Sequence, residues 1–289
     1  MKIITDSQSL EKQMKTTAKV IADSISDAGK RITTMQLCYP RFIHAEFMSH
    51  RVFSRNASSS RAIPVDKMIE QVRTNPAMPI HWGKNQAGMQ AEEELSIHEK
   101  AYVIDEWRRA CYHACDVAES MMQAGAHKQI VNRILEPFQH IHVIVTSTEW
   151  DNFFALRCHP DAQPEMQDLA IKMREAKEAS TPRLMFAREW HLPYITEEER
   201  KTRNWALLRQ ISAARCCRVS YMKHDGTQAT IEEEKALCAR LLSANPMHAS
   251  PFEHQAVPDI KVNGKWGNQQ WHGNLNGWIQ YRKLLELTQ

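Results

Sequence analysis

Arginine and histidine interleave with serine and asparagine in "SHRVFSRNASSSRAIP", Ser49 to Pro64. Such a run is either a solvated linker or a folded loop that holds an anion. Ser and Asn favour caps and turns over helix interiors. A turn bordered by Arg51, Arg55 and Arg61 would join hydroxyl and backbone N–H donors to guanidinium forks, which is equipment suited to a phosphate. It is not a P-loop, because it has neither the glycines nor the Lys-Ser/Thr pair of that motif.

Three other clusters could carry chemistry. "HASPFEH", His248 to His254, offers two histidines and a glutamate, but the spacing is not HExxH and Pro251 argues against a regular helix. The expected role is polar contact to a ligand with Phe252 packed inward, and no metal is expected. In "NFFALRCHPDAQPE", Asn152 to Glu165, Arg157 lies beside an apolar stretch, where the plain reading is a structural ion pair. Cys158 and His159 are adjacent in sequence, an arrangement whose side chains diverge, so a Cys/His nucleophile is not expected. Cys111 and Cys115 share one face of an Ala-rich helix and read as core.

The elements that must position these residues are legible in outline. "AKVIADSIS" and "RITTMQLCYP" flank "DAGK" and predict a hairpin. Pro40 opens a predicted helix, "RFIHAEFMSHRVF", that runs into the serine-arginine stretch and breaks there. Residues 65–100 read as a short helix and a long surface excursion, and 94–124 as a long helix. "HKQIVNRILEP" predicts a helix, "FQHIHVIVTST" a strand, and "EWDNFFALRCH" and "PEMQDLAIKMREAKEA" two helices. "YITEEERKTRN" is charged, as an exposed link between lobes would be. The helices "ALLRQISAARCCRVSY" and "TIEEEKALCARLLSA" follow, then a terminal helix "GWIQYRKLLEL".

Bulk properties narrow the function classes. A chain of 289 residues with 43% hydrophobic and 25% charged residues is an ordinary globular composition. A net charge of +3 gives no support to a dedicated nucleic-acid binder. No apolar run approaches the roughly 18 residues of a membrane span, and the first residues lack the apolar core of a signal peptide. The seven cysteines, an odd number without CxxC spacing, read as reduced thiols of a cytoplasmic protein.

Taken together, four motifs resemble the flavin-dependent thymidylate synthases. That family's Arg-His-Arg signature continues with spaced Ser, Asn, Ser and Arg, matched here by His50, Arg51, Ser54, Asn56, Ser59 and Arg61. Its "N-x4-LR" and the acidic segment after it resemble Asn152, Arg157, Gln163 and Glu165, with a shorter spacing. Its RVSY and H-x-T/S-P-F-E-H segments resemble Arg218–Tyr221 and "HASPFEH". The motif order is reversed relative to typical members, so the chain is similar to a circularly permuted, divergent phage-type branch; a fold tolerates this if the old termini lie close together.

The resemblance implies an α/β (α+β) fold, a mixed sheet packed with helices. It implies one domain over 1–289, comprising a helical extension (1–17), a signature-bearing part (18–200) and a part carrying RVSY and HASPFEH (201–289). It implies a homotetramer in the cytoplasm, a host's if phage-encoded, without membrane or dedicated nucleic-acid partners. It also implies FAD, NADPH and methylenetetrahydrofolate, with a one-carbon unit passed to C5 of a deoxypyrimidine monophosphate. Carried over residue by residue, Ser59, Ser60, Arg61 and Arg133 would hold the nucleotide phosphate. Arg157 would face the pyrimidine edge and stabilise charge on it, with Glu46 beside the substrate. Ser49, His50, Arg51, Asn56, Asn152, Ser220, His248 and Ser250 would surround the flavin.

Departures from the family pattern are specific. Ser49 replaces the first Arg of the triplet, Ala57 a Glu, Glu46 a Gln, and Thr146 and Thr148 an Asn and an Arg. Arg282, in "GWIQYRK", is the expected substitute for the guanidinium that Ser49 lacks. The acceptor expected first is dUMP, because an Arg donor suits a carbonyl. The rivals are dCMP as acceptor, a hydroxymethyl product, and a non-catalytic nucleotide- or RNA-binding module.

Overall fold

The structure, a computed structural model, describes residues 16–219 and 227–287. The expected N-terminal extension lies outside the described residues except at its end, as do Ser220 and Tyr221 of RVSY. In chain order the strands are β1 (Thr17–Ser26), β2 (Arg31–Pro40), β3 (Ser54–Ala57), β4 (His140–Ser147), β5 (Arg183–Met185), β6 (Ala256–Pro258), β7 (Lys261–Val262), β8 (Lys265–Trp266) and β9 (Trp278–Gln280). The helices are α1 (His44–Phe47), α2 (Val65–Thr74), α3 (Ile97–Gln123), α4 (Lys128–Ile134), α5 (Asp151–Arg157), α6 (Pro164–Glu178), α7 (Glu197–Lys201), α8 (Trp205–Arg218), α9 (Ile231–Ser243) and α10 (Tyr281–Glu286).

The fold is α/β, with a mixed sheet of order β3-β4-β2-β1-β5. β3 runs antiparallel to β4, with Ser54 opposite Thr146 and Ala57 opposite Val143, and β5 runs parallel to β1. β2 and β4 are interior strands and are buried along almost their whole length, with polar residues such as Thr33, Thr34, Thr146 and Ser147 buried among the apolar ones. The predicted β1–β2 hairpin is present. Gly29 (φ +78°) supplies the left-handed residue of its turn, and Ser26 N donates to Lys30 O.

The chain divides into two compact units. One contains residues 38–44 and 59–141. Val65, Met68, Ile69 and Val72 form one stripe of α2 and pack with Cys111, Cys115 and Ala118 of α3 and Val131 of α4. Cys111 and Cys115 are therefore core residues, and burial pushes the Cys111 thiol up to about 12.

The other unit contains residues 18–37, 45–58 and 142–289. Its helices α8 and α9 pack through Leu208, Ile211 and Ala213 against Cys238 and Leu241. "YITEEERKTRN" forms the capped helix α7 in this unit: Thr196 and Glu199 close a capping box, and Glu199 pairs with the buried Arg215. Two other expectations are corrected. The helix expected after Pro40 is a 3-10 turn followed by the single turn of α1. Ser54–Ala57 leave the helix to satisfy their backbone groups on β4. "GWIQYRKLLEL" begins as β9, paired with β6, before α10.

A polar chain crosses the interior of this second unit. Ser24 Oγ bonds His191 Nδ1 (2.9 Å), His191 Nε2 bonds Thr34 Oγ1 (2.8 Å), Thr34 bonds Thr146 (2.7 Å), and Thr146 bonds His254 Nδ1 (2.9 Å). Thr146 thus serves the interior. Both imidazoles are completely buried, and desolvation lowers each to about 3. Unfolded histidine titrates near about 6.5. The two rings therefore favour the fold fully above that value, and their contribution is lost as pH falls toward about 3. The melting temperature is expected to fall by several degrees between pH 7.5 and pH 5, measured by circular dichroism. A His191→Gln/His254→Gln variant is expected to show a flatter profile, whereas an equally steep profile in the variant would assign the acid sensitivity elsewhere.

Candidate functional site

In the second unit the serine-arginine stretch is built around a tight turn. Ser49 donates through both N and Oγ to Glu46 O, and Arg55 Nη1 donates to the carbonyls of Met48 (2.8 Å) and His50 (2.9 Å). The turn sets His50 against aromatic rings. Its imidazole meets Phe153 edge-on at 4.8 Å and lies 6.0 Å from Phe53, and Phe53 packs on Trp150 and Phe153. Phe153 belongs to α5, whose last residue is Arg157. The same rings therefore fix the histidine and the helix that carries the arginine.

Arg157 Nε donates to His50 Nε2 at 2.8 Å, and Arg157 Nη1 donates to the Glu46 carboxylate. His50 Nε2 must accept, so its ring carries the proton on Nδ1. Burial first, then the charges of Arg157 and Arg55, lowers the His50 pKa and keeps the ring neutral. Arg157 retains Nη2 without a partner among the described residues. The arrangement is a guanidinium held in place with donors to spare, suited to stabilising negative charge on a ligand.

Asn56 joins the signature to distant segments. Its Nδ2 donates to Cys216 O (2.8 Å) at the end of α8, and its Oδ1 accepts from Ser250 Oγ (3.1 Å) of "HASPFEH". Both amide atoms are engaged, so Asn56 acts as a tether. Arg51, Asn152 and His248 are exposed. Arg282 is ion-paired with Glu253 and Glu286. Arg218 pairs with Glu234 (3.2 Å), and Ser220 lies outside the described residues. Gln163 caps α6 and contacts Glu165, which gives both residues a structural role. Cys158 is half-buried, and burial raises its thiol. Among the described residues no cluster of three His, Cys, Asp or Glu side chains could hold a metal.

In the first unit Glu136 gathers the remaining residues. One of its carboxylate oxygens accepts from Ser60 Oγ (3.1 Å), Arg133 Nη1 (3.0 Å) and Arg41 Nη2 (2.9 Å). The buried Asn132 donates to the carbonyls of Ser60 (2.7 Å) and Ile63 (3.0 Å), which shapes the turn. Ser59 and Arg61 are exposed. Sequence reasoning missed Glu136 and Asn132, and the turn-holding role of Arg55. The only signal for the first two was their neighbourhood with Arg133.

Residues 30–183, more than half of the chain, match the family described as thymidylate synthase complementing protein. The chain belongs to this family, that of the flavin-dependent thymidylate synthases. The family match includes Glu46, the serine-arginine signature, Arg133 and Arg157; "HASPFEH" and Arg282 lie beyond it. Among solved structures the chain is similar to the UMP/dUMP methylase PolB from Streptomyces cacaoi bound with 5-Br UMP, at 17% identity and TM-score 0.49, covering 57% of this chain and 89% of that one. The same protein bound with 5-Br dUMP gives 17% identity and TM-score 0.48, covering 57% and 90%. No curated protein matches the chain. Among the described residues no helix is long and apolar enough to cross a membrane.

Removing Glu136 leaves Arg41 and Arg133 facing each other without a counter-charge and Ser60 without its acceptor. Glu136→Ala is expected to lower unfolding free energy by about 1–2 kcal/mol, measured as a shifted midpoint in urea. An unchanged midpoint would show that the carboxylate organises nothing.

Proposed function

We propose that the protein transfers a one-carbon unit from methylenetetrahydrofolate to C5 of a deoxypyrimidine monophosphate, with FAD as cofactor and NADPH as reductant. Family membership supports the reaction class, and the observation that carries the assignment is the Arg157 guanidinium fixed by His50 and Glu46. In this reading Arg157 donates to the pyrimidine edge and stabilises the negative charge that develops there as C5 acts as nucleophile. Its preset orientation spares reorganisation at the moment of reaction. His50 must stay neutral to accept from Arg157 Nε, and its burial maintains that state. No cysteine nucleophile is required, in keeping with a Cys158 thiol that burial holds protonated.

The residues present fit a flavin dinucleotide in their donor chemistry. Arg51 is exposed with its guanidinium free of ion pairs among the described residues, and suits a diphosphate; Asn152, His248 and the Ser250 hydroxyl add polar contacts. Bound FAD would supply the carrier and hydride chemistry. Ser49, His50 and Asn56 would shape its surroundings from the turn and tether described above, with Ser220 an expected further contact. Ser59, Ser60, Arg61 and Arg133 are proposed to hold the nucleotide phosphate. Arg282 is proposed as the substitute for the guanidinium missing at Ser49. A homotetramer in the cytoplasm completes the reading.

Release of tritium from C5-labelled deoxypyrimidine monophosphate tests the chemistry. Arg157→Ala is expected to lower the rate at least about 100-fold, the scale of losing a transition-state donor, while Cys158→Ala retains most of it. Loss of all release in the cysteine variant would overturn the mechanism. Arg282→Ala is expected to release FAD, followed by flavin absorbance after gel filtration, and unchanged occupancy would remove Arg282 from the cofactor site.

A further inference from the structure

The carboxylate at position 46 bears on which pyrimidine the site accepts, an inference that rests on the nucleotide reading above. Glu46 and Arg157 have side chains 31% and 23% exposed, so both remain accessible to a ligand. Arg157 spends its Nε–H on His50 and one Nη1–H on Glu46, which leaves N–H groups on both terminal nitrogens. Glu46 uses one carboxylate oxygen for Arg157, and its other oxygen has no partner among the described residues. The pair therefore offers two adjacent donors followed by an oxygen that can only accept.

Pyrimidine edges differ in just this order. Cytosine presents O2 and N3 as neighbouring acceptors and then the 4-amino group as a donor. Uracil presents O2 as acceptor, N3–H as donor and O4 as acceptor. Donor, donor, acceptor complements cytosine. Set against uracil, it places an N–H against N3–H and a carboxylate oxygen against O4. Shifting the base by one position brings Glu46 to N3–H but leaves one carbonyl, O2 or O4 according to which way the base is presented, without a donor. Arg157 is the only cation paired with Glu46 among the described residues. A glutamine at 46 could turn its NH2 toward O4; a glutamate cannot.

We propose that Glu46 makes this site select a 4-amino pyrimidine nucleotide, dCMP, over the 4-keto dUMP. The donor character of Arg157 alone favours a carbonyl; the carboxylate beside it moves the preference to an amine, because a mismatched polar group left facing a like partner loses its hydrogen bond as well as its water.

Calorimetric titration of the full-length protein in the presence of FAD, with dCMP and with dUMP, tests this directly, and is repeated on Glu46→Gln. The wild-type protein is expected to bind dCMP roughly 10- to 100-fold more tightly, the range for a hydrogen bond to a charged group. Glu46→Gln is expected to erode or reverse that ratio. A wild-type preference for dUMP, or the same ratio in both proteins, overturns the role of Glu46 and leaves the nucleotide reading standing. Failure of the wild-type protein to bind either nucleotide overturns the nucleotide reading itself. The wild-type ratio decides even where the variant does not fold.

Discussion

The hydrogen bond from Arg157 Nε to His50 Nε2 organises the centre of the second unit. It exists only while His50 is neutral, and His50 is neutral because Phe53 and Phe153 bury it beside two guanidinium groups. Every other feature of that centre serves the same geometry. Arg55 closes the turn that presents the histidine. Phe153 ties the ring to α5, and Glu46 takes the next donor of Arg157. Asn56 fastens the signature strand to Cys216 and Ser250. Four segments distant in sequence thereby share one arrangement of charge.

Much of the fold was legible where apolar spacing was strong. The β1–β2 hairpin, β4, and the helices α2 to α6, α8 and α9 follow their hydrophobic periods, because burial selects the same face that the sequence marks. β3 was not legible. Ser-Arg-Asn-Ala has turn-forming composition, and it becomes a strand only because the neighbouring Val143–Thr146 offers backbone partners. The start of "GWIQYRKLLEL" escaped for the same reason: its pairing with Ala256–Pro258 is a tertiary event. The charged stretch at residues 197–201 looked like a link, but its capping box and the buried Arg215 partner make it a helix of the fold.

The candidate site was legible in its cations and opaque in its counter-charges. Arg157, Arg133 and His50 could be singled out by the resemblance of their segments to the family's motifs. That Glu46 would meet Arg157, or that the Glu136 oxygen beside Arg133 would also collect Ser60 and Arg41, depends on contacts spanning many tens of residues. The serine-arginine stretch also proves to be divided. Residues 49–58 belong to one unit and residues 59–64 to the other, and each part is held by its own network. It is a folded stretch, not a linker.

The central claim is one-carbon transfer to C5 at a site built on Arg157. Mass analysis of products after incubation with FAD, NADPH, methylenetetrahydrofolate and a deoxypyrimidine monophosphate tests it most directly. The account predicts a nucleotide carrying one additional carbon on its base, formed only when the flavin and the folate are both supplied. Recovery of unmodified dUMP and unmodified dCMP from the complete mixture would contradict it.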